Sequence, residues 1–257
     1  MKILNQPVSR MYILSIALLS ILAAISSYTL HAFPLPLICA VAIAGILEIL
    51  IGKSYLKHAF KVPYSGLITG LIIGSVAPIN APLFLVLIAS TIAVVSKFFI
   101  QYKSSNVFNP AALGLIIALP IFGLGDEWWI ASNYNIYGIA ITLTPILIIL
   151  AYEARRLAAA AAFVLASFAL ALIVEMGSAL SITTIVTLLF GINYFFAFVM
   201  LIEPKTSPRK NYSQVLYGVS LAALYMAFAF FRVPYSLLVV LLTGNVFYLL
   251  CKKYSRR

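Results

Sequence analysis

Long apolar runs separated by short polar connections repeat along the whole chain. Ten of them cover roughly residues 11 to 31, 35 to 52, 64 to 77, 82 to 101, 108 to 124, 136 to 152, 157 to 175, 179 to 202, 213 to 231 and 234 to 251. Most approach the ~20 residues that an α-helix needs to cross ~30 Å of hydrocarbon. Lipid offers no partner for a free backbone N–H or C=O, so a spanning segment must satisfy its own backbone as a helix or join a closed barrel. The alternation of apolar and polar residues that a barrel strand requires is absent. The pattern therefore predicts an all-α, polytopic membrane helix bundle of about ten transmembrane segments. It reads as one integral membrane domain over 1–257, with pseudo-repeat halves at about 11–124 and 136–251.

Two runs break the pattern. "YSGLITGLIIGSVAP" gives only about fourteen residues before Pro78 and contains Gly66, Gly70 and Gly74; "INAP" follows, a second proline turn. A short, glycine-interrupted helix needs protein or a wet cavity around its exposed ends, so a half-spanning helix is predicted here. In the second half, "SALSITTIVTLLFGINYFFAF" carries a hydroxyl-rich stretch and is interrupted at Gly191 and Asn193. Paired interruptions in two halves point to a site near the bilayer midplane, whereas small residues also serve close helix packing. A weaker echo links "KSSNVFN" (103 to 109) with "KTSPRKN" (205 to 211), each ending in an Asn that opens a new apolar run.

Composition agrees with the pattern: 64% of the 257 residues are hydrophobic and 9% charged, with a mean hydropathy of +1.10. The net charge of +11 first suggests an anionic partner such as nucleic acid. Its placement says otherwise. If the N-terminus is cytoplasmic, sixteen of the seventeen Lys and Arg residues lie on the cytoplasmic side and only Arg232 lies outside. That is the positive-inside distribution, and it accounts for the excess without nucleic acid. A multi-pass protein of the cell membrane with both termini cytoplasmic is predicted, and its first apolar run reads as a span, not a cleaved leader.

With six acids in the whole chain, their positions are informative. Glu48 lies about a turn inside the second run and Glu203 precedes Pro204 at the end of the eighth. A carboxylate at that depth must be paired, wet or protonated, which makes a cation pathway one reading and salt bridges, Glu48 with Lys53 and Glu203 with Lys205, the other. Glu153 beside Arg155 and Arg156 reads as a solvated loop. Asp126, Glu127, Trp128 and Trp129 form an acidic and aromatic cluster on the predicted outer side, where tryptophans anchor at the lipid interface. Cys39 and Cys251 lack a metal or redox spacing, and His31 and His58 are isolated, so no metal site and no catalytic residue is assigned.

The run "NVFNPAALG" (106 to 114) places Asn109 and Pro110 where a helix begins, since Pro lacks the N–H that a first turn leaves unused. Here the residues carry a resemblance. "SGLITGLIIGSVAP", the Lys97-containing helix leading into "NVFNPAALG", and "FFAFVMLIEPKTSP" resemble, in the same order, a membrane component shared by two ion-pumping respiratory complexes. It is called RnfD in the Rnf ferredoxin:NAD oxidoreductase and NqrB in the sodium-translocating NADH:quinone oxidoreductase. The resemblance implies a fold similar to urea transporters. It also implies an outer loop whose Ser/Thr-Gly-Ala-Thr segment holds FMN through a phosphoester. In this chain the connection is only "GLGDEWWIASNYN" (123 to 135), and the nearest threonines, Thr142 and Thr144, lie inside the next apolar run. A covalent FMN is therefore not expected on this chain, and a flavin, FMN or riboflavin, would be non-covalent.

By the same resemblance, Glu203 stands where those proteins carry an Asp associated with cation uptake. The central site is expected to involve Thr69, Gly70, Asn109, Pro110, Thr206 and Asn211, with Glu48 and Glu203 facing the cation. The chain is expected to be an accessory membrane subunit of an electron-transport complex coupled to Na⁺ or H⁺ movement. No connection is long enough for an NADH or ferredoxin module, so other membrane and peripheral subunits must supply electrons. A small-solute channel and a cofactor-free scaffold are the rival readings.

Overall fold

The computed structural model describes residues 7–56, 62–103, 105–132, 137–175 and 181–254. His58 and the basic residues Lys2, Lys57, Lys61, Arg256 and Arg257 lie outside them. The chain divides into two compact units, Met1–Ile130 and Ala131–Arg257.

In the first unit the helices are α1 (Pro7–Thr29), α2 (Leu35–Leu56), α3 (Tyr64–Val76), α4 (Leu83–Phe99) and α5 (Pro110–Ile121), with a two-stranded hairpin of β1 (Gln101–Tyr102) and β2 (Ser105–Asn106) between the last two. A single turn, α6 (Trp129–Ser132), closes the unit and leads into the next. The second unit contains α7 (Tyr137–Glu153), α8 (Leu157–Glu175), α9 (Ile182–Phe190), a π-helical turn (Phe196–Met200), α10 (Asn211–Phe230) and α11 (Ser236–Tyr254). Among the described residues, five helices have the length and apolarity to cross a membrane: α1, α2, α8, α10 and α11. The structure is the polytopic helical bundle that the hydropathy pattern predicts.

The short segments are short for identifiable reasons. Pro78 ends α3 after 13 residues, with Ala77 already extended. Its glycines are a packing surface: a Cβ on Gly70 would come within 2.5 Å of Ala40 O, and one on Gly74 within 2.3 Å of the Leu37 Cα, both on α2. Packing at that distance lets dispersion and backbone contact replace the missing hydrophobic drive between helices in lipid. Gly114 of α5 meets Ala89 O of α4 in the same way, and Gly218 of α10 meets Ala159 O of α8. The eighth predicted span is not one helix. Ser181 caps α9 by accepting from Thr184 N at 3.0 Å, the helix stops at Gly191, and Asn193 restarts the chain by accepting from Phe196 N at 2.8 Å. The restarted turn is π-helical, with Leu201 N donating to Phe196 O.

Candidate functional site

In the first unit the polar residues gather where α2, α3 and α4 meet. Lys97, 6% exposed, reaches from the last turn of α4 and donates to Glu48 Oε2 at 3.1 Å, to Ser65 O at 2.9 Å and to Ser65 Oγ at 2.9 Å. Thr69 closes the cluster by donating its hydroxyl to Ser65 O at 2.8 Å. The carboxylate fits because residue 66 is glycine: a Cβ there would come within 3.0 Å of Glu48 Oε2 and 2.6 Å of Ala44 O. The salt-bridge reading of Glu48 thus finds a different partner from Lys53, which is exposed near the end of α2. Lys97 itself, counted by sequence among the basic residues of the cytoplasmic side, is a helical residue buried in the bundle.

Asn109 caps α5 by accepting from Ala112 N at 3.0 Å, and Pro110 is the first helical residue. Both are buried. Gly70, expected beside the site, serves the α2–α3 seam.

At the other end of α3 the connection between α5 and α6 folds inward. Glu127 N and Trp128 N donate to Val76 O, Trp129 Nε1 donates to Gly74 O at 2.7 Å, and Glu127 Oε2 accepts from Ile79 N at 3.1 Å. The first three bonds satisfy carbonyls that a helix end leaves open, and the last satisfies an N–H of the turn that follows. Trp128 and Trp129 are both buried, so the interface-anchor reading gives way to a cap on α3. Trp128 Nε1 also donates to Asp126 Oδ2 at 2.7 Å. Burial pushes the Asp126 carboxyl above its ordinary value, and this hydrogen bond opposes the shift only in part.

The second unit has its own polar cluster, built on the turn that follows the π-helical segment. Thr206, 2% exposed, donates to Glu203 Oε2 at 3.3 Å, and Ser207 Oγ donates to Glu203 O at 2.7 Å. From α11, Asn245 Nδ2 donates to Thr206 O at 3.4 Å and to Tyr217 Oη, on α10, at 3.2 Å. Arg156, 4% exposed, clamps the same turn: its Nε donates to Ser207 Oγ at 3.0 Å and its Nη2 to Pro204 O at 3.4 Å. It can do so because Arg155 takes a positive φ of 54° in a Schellman-type end to α7, which turns the next residue inward. Burial lowers the Arg156 guanidinium from its ordinary range; Arg209 lowers it further and Tyr248 acts against both.

Of the sequence-predicted residues, Glu48 and Thr69 come together in one unit, and Glu203 and Thr206 in the other. Asn211 does not join them; it is the exposed first residue of α10, whose cap position is Lys210. Its likeness to Asn109 in the internal echo is therefore not one of role. Ser65, Lys97, Arg156, Tyr217 and Asn245 belong to the clusters and were not singled out as site residues from sequence. Only Asn245, a lone carboxamide in an apolar run, carried a readable signal of burial with a partner.

The model of the NQR2, RnfD, RnfE family matches residues 5–133. The chain belongs to that family. Membership makes it a membrane subunit of an Rnf- or NQR-type complex, and the matched stretch contains the whole Glu48–Lys97–Ser65 cluster and the Asn109 cap. A comparison with curated proteins finds no match.

Proposed function

We propose that this chain is the membrane subunit of a flavin-dependent electron-transport complex and supports electron transfer coupled to Na⁺ or H⁺ movement. The observation that carries the reading is the Glu203 cluster in a chain of this family. A carboxylate beside a buried hydroxyl, backed by Asn245 and Tyr217, runs from the turn after the π-helical segment into the α10–α11 packing. Intramembrane carboxylates held in polar surroundings serve ion and proton paths, and π-helical turns recur at such sites.

Electrons come from partner subunits. Any flavin in the complex is bound without a covalent link to this chain: the connection of residues 123–135 contains no Thr and lacks the Ser/Thr-Gly-Ala-Thr sequence, and Thr144 lies within α7. Thr69 commits its hydroxyl hydrogen and Asn109 its carboxamide oxygen to their own helix turns, so through these atoms they act on a flavin only by shaping α3 and α5. Both termini face the cytoplasm, as the basic connections require.

The test is to isolate the chain by affinity from its native membranes in mild detergent and record oxidised and dithionite-reduced spectra. Co-purifying redox subunits with reducible flavin, released by acid into the supernatant, are expected. A chain isolated without redox partners that conducts a neutral solute in liposomes would overturn the reading.

A further inference from the structure

An ammonium group has three N–H donors, and around Lys97 Nζ three oxygens of different kinds stand at 2.9 to 3.1 Å: a carboxylate, a main-chain carbonyl and a hydroxyl. Those are the hard oxygen donors that also bind alkali cations. All three belong to α2 and α3, whereas the ammonium arrives on the side chain of another helix, α4. The oxygens and the group that fills them thus come from different helices. Two further features hold it open. Gly66 leaves space for the Glu48 carboxylate in the α2–α3 seam, and Thr69 Oγ fixes the Ser65 carbonyl from below.

We infer that Lys97 occupies a site for a dehydrated monovalent cation, formed by Glu48 Oε2, Ser65 O and Ser65 Oγ, and that an alkali cation takes the same position when the ammonium is withdrawn. The charge fixes the class. One carboxylate with one monovalent cation is neutral, and neutrality is what a low-dielectric surrounding demands; a divalent ion would leave a net charge buried. With the ammonium in place Glu48 Oε2 is occupied, so Lys97 is a tethered competitor whose displacement opens this oxygen. The physiological use of the site rests on the cation-coupled reading above, whereas its existence does not.

The test uses the full chain purified in detergent, with Lys97→Ala, the double variant Lys97→Ala/Glu48→Gln, and Glu48→Gln/Lys97→Met as a neutral, packed control. Unfolding temperatures are compared in NaCl, KCl and LiCl against choline chloride at equal ionic strength. For Lys97→Ala an alkali chloride is expected to raise the unfolding temperature by on the order of 3 °C for each tenfold increase in concentration, as for a ligand bound only by the folded state. Wild type and both Glu48→Gln variants are expected to show no difference between alkali and choline salts. If Lys97→Ala folds and responds equally to all four salts, no cation site exists there. If it cannot be recovered folded in any alkali salt while the neutral control can, the inference also fails, because the cation should replace the missing charge. Neither result depends on electron transfer, and a complex that fails to couple electrons to cations would overturn the proposed function without changing them.

Discussion

A single amide nitrogen, Asn245 Nδ2, joins the Thr206 carbonyl to the Tyr217 phenol inside the second unit. Replacing Asn245 with Ala strands both buried groups, at about 1–3 kcal/mol. A lower unfolding temperature is expected in Asn245→Ala, together with a weaker cation dependence of the complex, since the Thr206 hydroxyl it steadies is the one that reaches Glu203. At the cap of α3, Trp129→Phe keeps an aromatic ring but removes the donor to Gly74 O and part of a buried indole, so its expected loss is at least about 1–3 kcal/mol, with a cavity cost added. Asp126 sets a pH dependence. Its carboxyl lies above the ordinary 3.8 because burial disfavours the charge, so the folded protein holds this proton more tightly than the unfolded chain. Its penalty on stability appears as pH rises past the unfolded value and is complete above the raised folded value. Asp126→Asn keeps an oxygen for the Trp128 indole and removes that penalty. The variant is expected to unfold at a higher temperature than wild type near neutrality and to converge with it below the ordinary carboxylate range; a constant gap at all pH values would contradict the assignment. The cap of α5 was legible because Asn-Pro has one local meaning, a first turn. Lys97 was not, because a lysine near the end of an apolar run looks the same whether it snorkels to the surface or turns inward to a carboxylate 49 positions earlier.

Among the elements, α3 shows how a sequence feature can carry two meanings. Its length and its glycines were readable, since Pro78 and the four-residue spacing of Gly66, Gly70 and Gly74 are local facts. Their purpose needed the neighbour: each glycine faces the α2 backbone. Gly70→Ala would push a methyl to 2.5 Å from Ala40 O, with an expected loss of about 1–3 kcal/mol as α3 is forced away from α2. Gly52, also helical but with nothing within 4 Å of its Cβ position, provides the contrast. Gly52→Ala is expected to be neutral or to gain up to about 1 kcal/mol. Paired melting curves of the two variants would separate packing from propensity. The eighth run was read as interrupted, and it is, at Gly191. The π-helical restart carries no local sequence signal; Phe196 and Met200, which bound it, are both fully buried.

For the whole molecule, the membrane class followed from composition and run length because lipid leaves a chain few ways to satisfy its backbone. The clusters did not follow, because each joins residues far apart in sequence through side-chain geometry. Both units share one construction: a carboxylate, Glu48 or Glu203, beside a hydroxyl and a main-chain carbonyl. They differ in the cation. Lys97 fills the first set directly, while Arg156 grips the carbonyls and Ser207 around the second. In the proposed function, Glu203 is the carboxylate assigned to coupling, through its contact with the buried Thr206 hydroxyl. That dependence is measured most directly with the assembled complex in sealed liposomes, following electron transfer and ²²Na⁺ or proton uptake together, with wild-type chain and with Glu203→Gln. Uptake driven by electron transfer is expected in the wild type, and in Glu203→Gln a loss of roughly tenfold or more in uptake per electron, the scale of one lost charged contact of ~1.4 kcal/mol. Electron transfer with unchanged uptake and unchanged ion dependence in Glu203→Gln would contradict the role assigned to this carboxylate.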